Sequence, residues 1–159
     1  MAKSSSAKSS ANANKREVAR ILNQVLSDTY VILVKTHGYH WNVVGPHFRD
    51  LHKLLESQYE ALFEAVDEIA ERVRALDELA LGSMKSFLAK TSIKESPETP
   101  PDAKGMVRDL LAAHENLHAR LMMAEEVTGR LNDPASNDLM VQRIQECDKM
   151  AWMLRSFLA

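Results

Sequence analysis

The residues best suited to chemistry lie in one stretch of the chain: His40, His52, Glu56, Asp67 and Glu71. Imidazole nitrogen and carboxylate oxygen together make a ligand set for iron, which takes both donors and keeps open positions for an oxidant. The last four residues fall within one predicted helix. With His52 as the origin of a helical wheel, Glu56 falls at ~40°, Asp67 at ~60° and Glu71 at ~100°, so all four share a face. The apolar stripe of the same helix, Leu51, Leu55, Leu62, Val66, Ile69, Val73 and Leu76, centres at ~−70°. The candidate ligands therefore point away from the core of their own subunit.

Length along the helix then matters. Glu56 and Asp67 are separated by about 16 Å of helical rise, too far for one metal centre on one helix. A second copy of the helix, packed antiparallel about a two-fold axis between residues 61 and 62, removes the difficulty. That single axis sets His52 against Glu71 of the partner subunit and Glu56 against Asp67 of the partner subunit. A two-fold interface must repeat every contact in this way. The spacing predicts two identical sites per dimer, each taking His52 and Glu56 from one chain and Asp67 and Glu71 from the other. His40, in phase with Leu22 and Leu33 on the preceding helix, lies about as far before the Gly45-Pro46 break as His52 lies after it. An antiparallel hairpin would bring the two imidazoles together. Taken singly, each acid also fits a solvated charged face, and a lone His fits a hydrogen-bonded core position. The shared face, the shared axis and the two flanking imidazoles favour the metal reading.

The elements that must position these groups follow from composition and period. A chain of 159 residues, 45% apolar and 26% charged, suits one soluble domain with one core. With only five Gly and five Pro, long helices are expected rather than a turn-rich β fold. No apolar run is long enough to span a bilayer, and MAKSSSAKSS has no apolar segment of a secretory signal. One cysteine, Cys147, fits a reducing cytosol. A net charge of −2 excludes a globally basic nucleic-acid binder, so any affinity for DNA must be local.

Residues 1–14 form a polar Ser/Ala/Lys/Asn tract and are expected to be a flexible basic tail; residues 15–159 form the folded domain. Val18, Ile21, Leu22, Val25, Leu26, Thr29, Ile32 and Leu33 recur at helical spacing and predict a first helix ending near Val43. A second runs from about Pro46 to Leu76, with Pro46 placed to open it. A long connection contains a short apolar piece, Met84 to Ala89, and a Ser/Pro/Thr-rich stretch from Ser96 to Pro101. Asp102 is placed to cap the third long helix, which carries Val107, Leu110, Leu111, Leu117 and Leu121 and is expected to end at Gly129. After the Asn132-Asp133-Pro134 turn, a last helix carries Met140, Ile144, Cys147, Ala151, Leu154 and Leu158. Four long helices with one long crossover make the ferritin-like variant of the all-α four-helix bundle.

The stretch KTHGYHWNVVGPHFRDLHKLLESQYEALFEAVDEIAERVRAL, Lys35 to Leu76, resembles the ferroxidase signature of the Dps family, the DNA-protection proteins of starved cells. The family's His-Trp pair falls on His40-Trp41, its second His on His52, the following acid on Glu56, and its Asp-x-x-x-Glu on Asp67 and Glu71. The ending AWMLRSFL is similar to the family's last helix. The resemblance implies a dodecameric hollow shell of two-fold dimers in the cytoplasm. It implies oxidation of Fe(II), preferably by hydrogen peroxide, at shared di-iron sites, with ferric mineral stored inside and DNA protected from oxidative damage. It places His40, His52 and Glu56 on one subunit and Asp67 and Glu71 on its mate. Trp41, beside His40, would then be an electron donor or a packing residue at the helix end. His37 and His47 lie nearby but match no ligand position, and Tyr39 is expected only to pack.

Weaker signals remain. Glu115-x-x-His118 has the form of an intrabundle di-iron element, but the first helix offers only Glu17 and Asp28 as further acids and a second Glu-x-x-His is missing, so His114 and His118 are expected at the surface. Asp133 and Asp138 fit either an acidic three-fold pore or turn and cap positions. Cys147 is expected to pack. Lys3, Lys8, Lys15 and Arg16 give the tail positive charge with no acid before Glu17. Many tails on one shell could bind DNA multivalently and associate with the nucleoid, or simply solubilise the protein. The alternative function is accordingly a nucleoid-associated DNA-binding protein in which metal oxidation is secondary.

Overall fold

The turn that creates the first hairpin is built on Gly45, whose φ of +119° is open to glycine and strained for other residues. In the computed structural model, which describes the backbone of residues 2–159 and the side chains of residues 10–159, this turn joins α1 (Ala2–Asn42) to α2 (Phe48–Ala75). A short α3 (Met84–Lys90) lies in the crossover, followed by α4 (Ala103–Arg130) and α5 (Pro134–Leu158). The all-α four-helix bundle with a short crossover helix is as expected. α1 packs on α2 and α4 on α5, with α1 also meeting α4 and α3. No helix among the described residues is long and apolar enough to cross a membrane.

Of the expected tail, Ser10–Asn14 continue α1; a tract without Gly or Pro has nothing to stop helix propagation from the packed turns beyond it. The tail side chains of residues 1–9, Lys3 and Lys8 among them, lie outside the described residues. Helix α2 starts at Phe48 rather than Pro46, with Pro46 and His47 in the turn. At the other end of the molecule Gly129 stays within α4, and Asn132 takes the left-handed conformation, φ +56°. Asn tolerates that region better than most residues.

The core is the predicted stripe of each helix: Leu22, Val25, Leu26 and Ile32 from α1, Leu55, Leu62, Ile69 and Val73 from α2, Leu117 and Leu121 from α4, Met140 and Cys147 from α5. Each buried aliphatic side chain contributes about 1.5–3 kcal/mol relative to exposure. Val66, Leu111, Ile144 and Leu158, expected in these stripes, are only half-buried.

The crossover is held by polar groups. Ser83 and Ser86 cap α3 reciprocally, and Phe87 stacks on Tyr30 of α1 at 4.4 Å. Asp28, fully buried in α1, accepts hydrogen bonds from Thr91 Oγ1 (2.7 Å), Ser92 N (2.6 Å), Ser92 Oγ (3.0 Å) and Arg120 Nε (3.0 Å). One carboxylate thus ties the end of α3 and helix α4 to α1. Asp102 caps α4 as predicted, accepting from Gly105 N at 2.7 Å. Gly105 is held to glycine by its neighbours: a Cβ there would lie 2.7 Å from Pro101 Cβ and 2.9 Å from Asp102 Oδ1. Gly105→Ala is therefore expected to lower the thermal midpoint, although helix propensity alone would raise stability by about 1 kcal/mol. An unchanged or raised midpoint would show that the Pro101 ring yields without cost.

His114, expected at the surface, is fully buried in α4. Burial pushes its pKa down to about 4. An unfolded chain takes up that proton near the ordinary 6.5. Stability from the neutral imidazole is thus fully present above pH 6.5 and lost as the pH falls toward 4, by about 3 kcal/mol per chain. Denaturant titrations at pH 7.5 and pH 4.5 should register this drop, and His114→Leu should make it smaller.

Candidate metal centre

The hairpin of α1 and α2 brings His40, in the last turn of α1, against His52, in the second turn of α2. The rings stack with centroids 3.7 Å apart and planes 17° from parallel. Each Nδ1 lies 2.9 Å from the backbone carbonyl of the other histidine. A carbonyl can only accept, so each Nδ1 carries the hydrogen. In the neutral ring that leaves both Nε2 atoms as bare lone pairs, the form in which imidazole binds a metal. Phe48 stacks on His52 at 5.0 Å, and Tyr59 meets His40 edge-on at 5.1 Å. His40 is 7% exposed, so the pair is fixed by its surroundings.

Glu56 lies one turn beyond His52 on the same face. Its carboxyl is held below its ordinary pKa by a hydrogen bond and ion pair from Lys53, with smaller contributions from the charges of Lys53, His40 and His52. It is therefore an anion, balanced for the moment by Lys53, beside two imidazoles. Asp67 and Glu71 are exposed further along α2, about 16 Å of helical rise from Glu56 for the nearer one. Among the described residues, no three His, Cys, Asp or Glu side chains of one chain come close enough to hold a metal ion. One subunit thus brings His40 and His52 together, sets Glu56 on their side, and leaves Asp67 and Glu71 away from them.

The remaining signals fall to structural roles. His37 stacks between Trp41 (4.1 Å) and Tyr59 (4.3 Å), with its ring 6.2 Å from that of His40. Trp41 is 66% exposed and packs at the helix end against His37. Tyr39 donates to Asp109 at 2.5 Å, in a cluster with buried Lys35, and burial pushes its pKa up to about 12. Glu115 pairs with Arg155 (3.8 Å) and His118 with Asp148 (2.8 Å) on the outside of α4 and α5, so no intrabundle centre forms from them. Asp133 caps α5 through Ser136 and is bound by Arg72 at 2.8 Å, which leaves it a cap. Asp138 is exposed and accepts from Gln142. Cys147 is buried with its thiol pushed up to about 12 by desolvation, and is inert. Lys53 and His114 were not legible as special in the sequence, although His114 falls in phase with Leu110, Leu117 and Leu121, a signal that places it inside.

The bundle and its crossover define a ferritin-like protein, and residues 19–159 match the ferritin family model, described as a ferritin-like domain. The chain is 45% identical over 142 residues to an uncharacterized low temperature-induced protein of Nostoc sp., covering 89% of this chain and 79% of that one. It is 35% identical to DNA protection during starvation protein 2 of Bacillus anthracis, covering 90% of this chain and 97% of the relative. The Dps protein of Vibrio cholerae O1, described as a member of a broad superfamily of ferritin-like diiron-carboxylate proteins, superposes with a TM-score of 0.89 at 30% identity, covering 93% of this chain and 92% of that one. The chain belongs to the Dps family.

Proposed function

We propose that this protein oxidises and stores iron in a hollow shell of identical subunits, a dodecamer of two-fold dimers. Each di-iron site is shared between two chains. The observation that carries this reading is the reciprocal pair His40 and His52, each with Nδ1 spent on a carbonyl and Nε2 left for a metal. One chain supplies that pair and Glu56; Asp67 and Glu71 come from the mate. The exposure of Phe63, 67% in the single chain and next to the proposed axis between residues 61 and 62, supports burial of this face in a dimer. The description of the Vibrio cholerae relative as diiron-carboxylate supports the choice of metal.

Iron is the substrate. Two Fe(II) ions each give up one electron; hydrogen peroxide takes both, its O–O bond breaks, and two protons complete two waters. Carboxylates favour the product charge, because three acids offset more of the added positive charge of ferric iron than neutral ligands would. Glu56 must exchange Lys53 for the metal. Hydrolysis of ferric iron then deposits mineral inside the shell, and removing peroxide and Fe(II) together suppresses the hydroxyl radicals that would damage DNA. Stopped-flow oxidation of anaerobic Fe(II) should be faster with peroxide than with oxygen. Equal rates would remove the peroxide preference from this account.

A second reading, DNA binding by the tails, draws on the name of the Bacillus anthracis relative. Two of its four cations are engaged at home: Lys15 Nζ lies 3.2 Å from Asp77 and Arg16 Nε 3.5 Å from Glu78. Contact with DNA would then rest on Lys3 and Lys8, and should be weak and salt-sensitive. Deleting residues 1–14 should abolish DNA retention in a gel at low salt and leave iron oxidation unchanged. Retention by the truncated shell would move the contact elsewhere.

A further inference from the structure

Between all four long helices lies a small cavity, bordered by Thr29, Leu62, Ala65, His114, Arg143 and Cys147. It leaves about 20 Å³ for the centre of a water molecule, where one molecule needs about 10–15 Å³. The wall is mostly apolar; its polar residues are Thr29, His114, Arg143, Glu146 and Cys147, of which Thr29 donates to the Val25 carbonyl and Glu146 lies 4.0 Å from Lys149. His114 Nε2 and Arg143 Nε are both buried and both lack a protein hydrogen-bond partner. A buried polar atom without a partner is costly, so a pair of them on one cavity asks for an explanation.

Their chemistry is complementary. Cys147 Sγ lies 3.2 Å from the His114 carbonyl oxygen and 3.8 Å from His114 Nδ1. The carbonyl takes the S–H proton, which turns the sulfur lone pairs toward Nδ1. The imidazole therefore carries its hydrogen on Nδ1, toward the sulfur, and Nε2 is an acceptor. Arg143 Nε–H is a donor. An occupant that serves both must donate one hydrogen bond and accept another. A metal cation can do neither and is repelled by the guanidinium, and the one acid on the wall, Glu146, is 43% exposed and lies 4.0 Å from Lys149. Chloride can accept from Arg143 but has no proton for His114. Water does both and matches the volume.

We propose that the centre of the bundle holds one internal water, donating to His114 Nε2 and accepting from Arg143 Nε–H. This site is separate from the iron centre. The water links α4 to α5 by one hydrogen bond to a neutral imidazole and one, charge-assisted, from a guanidinium.

The test is a crystal structure of the intact shell at a resolution that places waters, from iron-soaked crystals and from crystals pressurised with xenon. The expected result is one peak at about 2.7–3.2 Å from both His114 Nε2 and Arg143 Nε. That peak should lack anomalous signal at the iron edge and resist displacement by xenon, which enters dry apolar cavities. The peak should be lost in His114→Leu. If that variant does not fold, Arg143→Met, which removes the donor, supplies the same loss. A dry cavity, a xenon peak or iron at this position would each overturn the proposal.

Discussion

Asp67→Ala or Glu71→Ala should leave a folded, assembled shell that oxidises Fe(II) on the order of 100-fold more slowly or worse. Both side chains are exposed on α2, away from the subunit core, so shortening them removes no packing within the chain. Surface substitutions of this kind usually change stability by about 0.5 kcal/mol or less. The loss in rate should be large for a different reason. Either variant leaves two neutral nitrogens and only two carboxylates at each proposed site, one anion fewer to balance two irons as they become ferric. Removing a group that hydrogen-bonds to a metal ligand typically costs about 10–100-fold, and removing a direct ligand should cost at least as much. Stopped-flow absorbance after mixing with peroxide measures the rate, and size-exclusion chromatography checks the shell. Wild-type rates in an intact Asp67→Ala shell would mean that this carboxylate does not hold iron.

The second large effect concerns the fold. Asp28→Ala should destabilise the subunit by about 3–5 kcal/mol, because it leaves a mostly buried guanidinium without its partner. Arg120 is 18% exposed and Asp28 is fully buried, so water can replace the lost carboxylate only poorly. The same substitution also removes the acceptor for Thr91 and Ser92. At about 2–4 °C per kcal/mol for a chain of this size, the thermal midpoint should fall by roughly 10 °C. Asp28→Asn keeps part of the hydrogen bonding without the charge and should fall between the two. A shift under a couple of degrees for Asp28→Ala would show that the crossover is held by Phe87 packing instead.

Much of this architecture was readable from spacing. Apolar residues at helical period located all four long helices, and Asp102 was recognisable as a cap because the residue type and the boundary agreed. The boundaries that shifted did so for local reasons. Pro46 can open a helix, but Gly45 at positive φ spends the next two residues on the turn. Gly129 looked like a terminator, yet Asn132 supplies the left-handed residue, and the helix runs one residue past Gly129 to Arg130. His40 and His52 were predicted to meet, and they do. Their reciprocal hydrogen bonds to each other's carbonyls could not be foreseen, because they depend on how the two helix ends are offset. His114 was misplaced because a polar residue type outweighed its position in the Leu110, Leu117 and Leu121 stripe. Asp67 and Glu71 are in a different position. The role proposed for them is a relation between two chains, and one chain carries only half of such a relation.

That relation is the central claim, and mixed subunits test it most directly. Subunits carrying His52→Ala and subunits carrying Asp67→Ala are each expected to form inactive shells, since every site in either shell lacks one ligand. Mixed in equal amounts and assembled together, half of the dimers pair one of each. In such a dimer one site carries both defects, and the other takes His52 and Asp67 from the intact halves. About a quarter of all sites are then whole, as two-fold symmetry requires. The rapid phase of Fe(II) oxidation should return with about a quarter of the wild-type amplitude. A mixed shell as inactive as its parents would contradict the shared site and place the iron chemistry within single subunits or elsewhere on the chain.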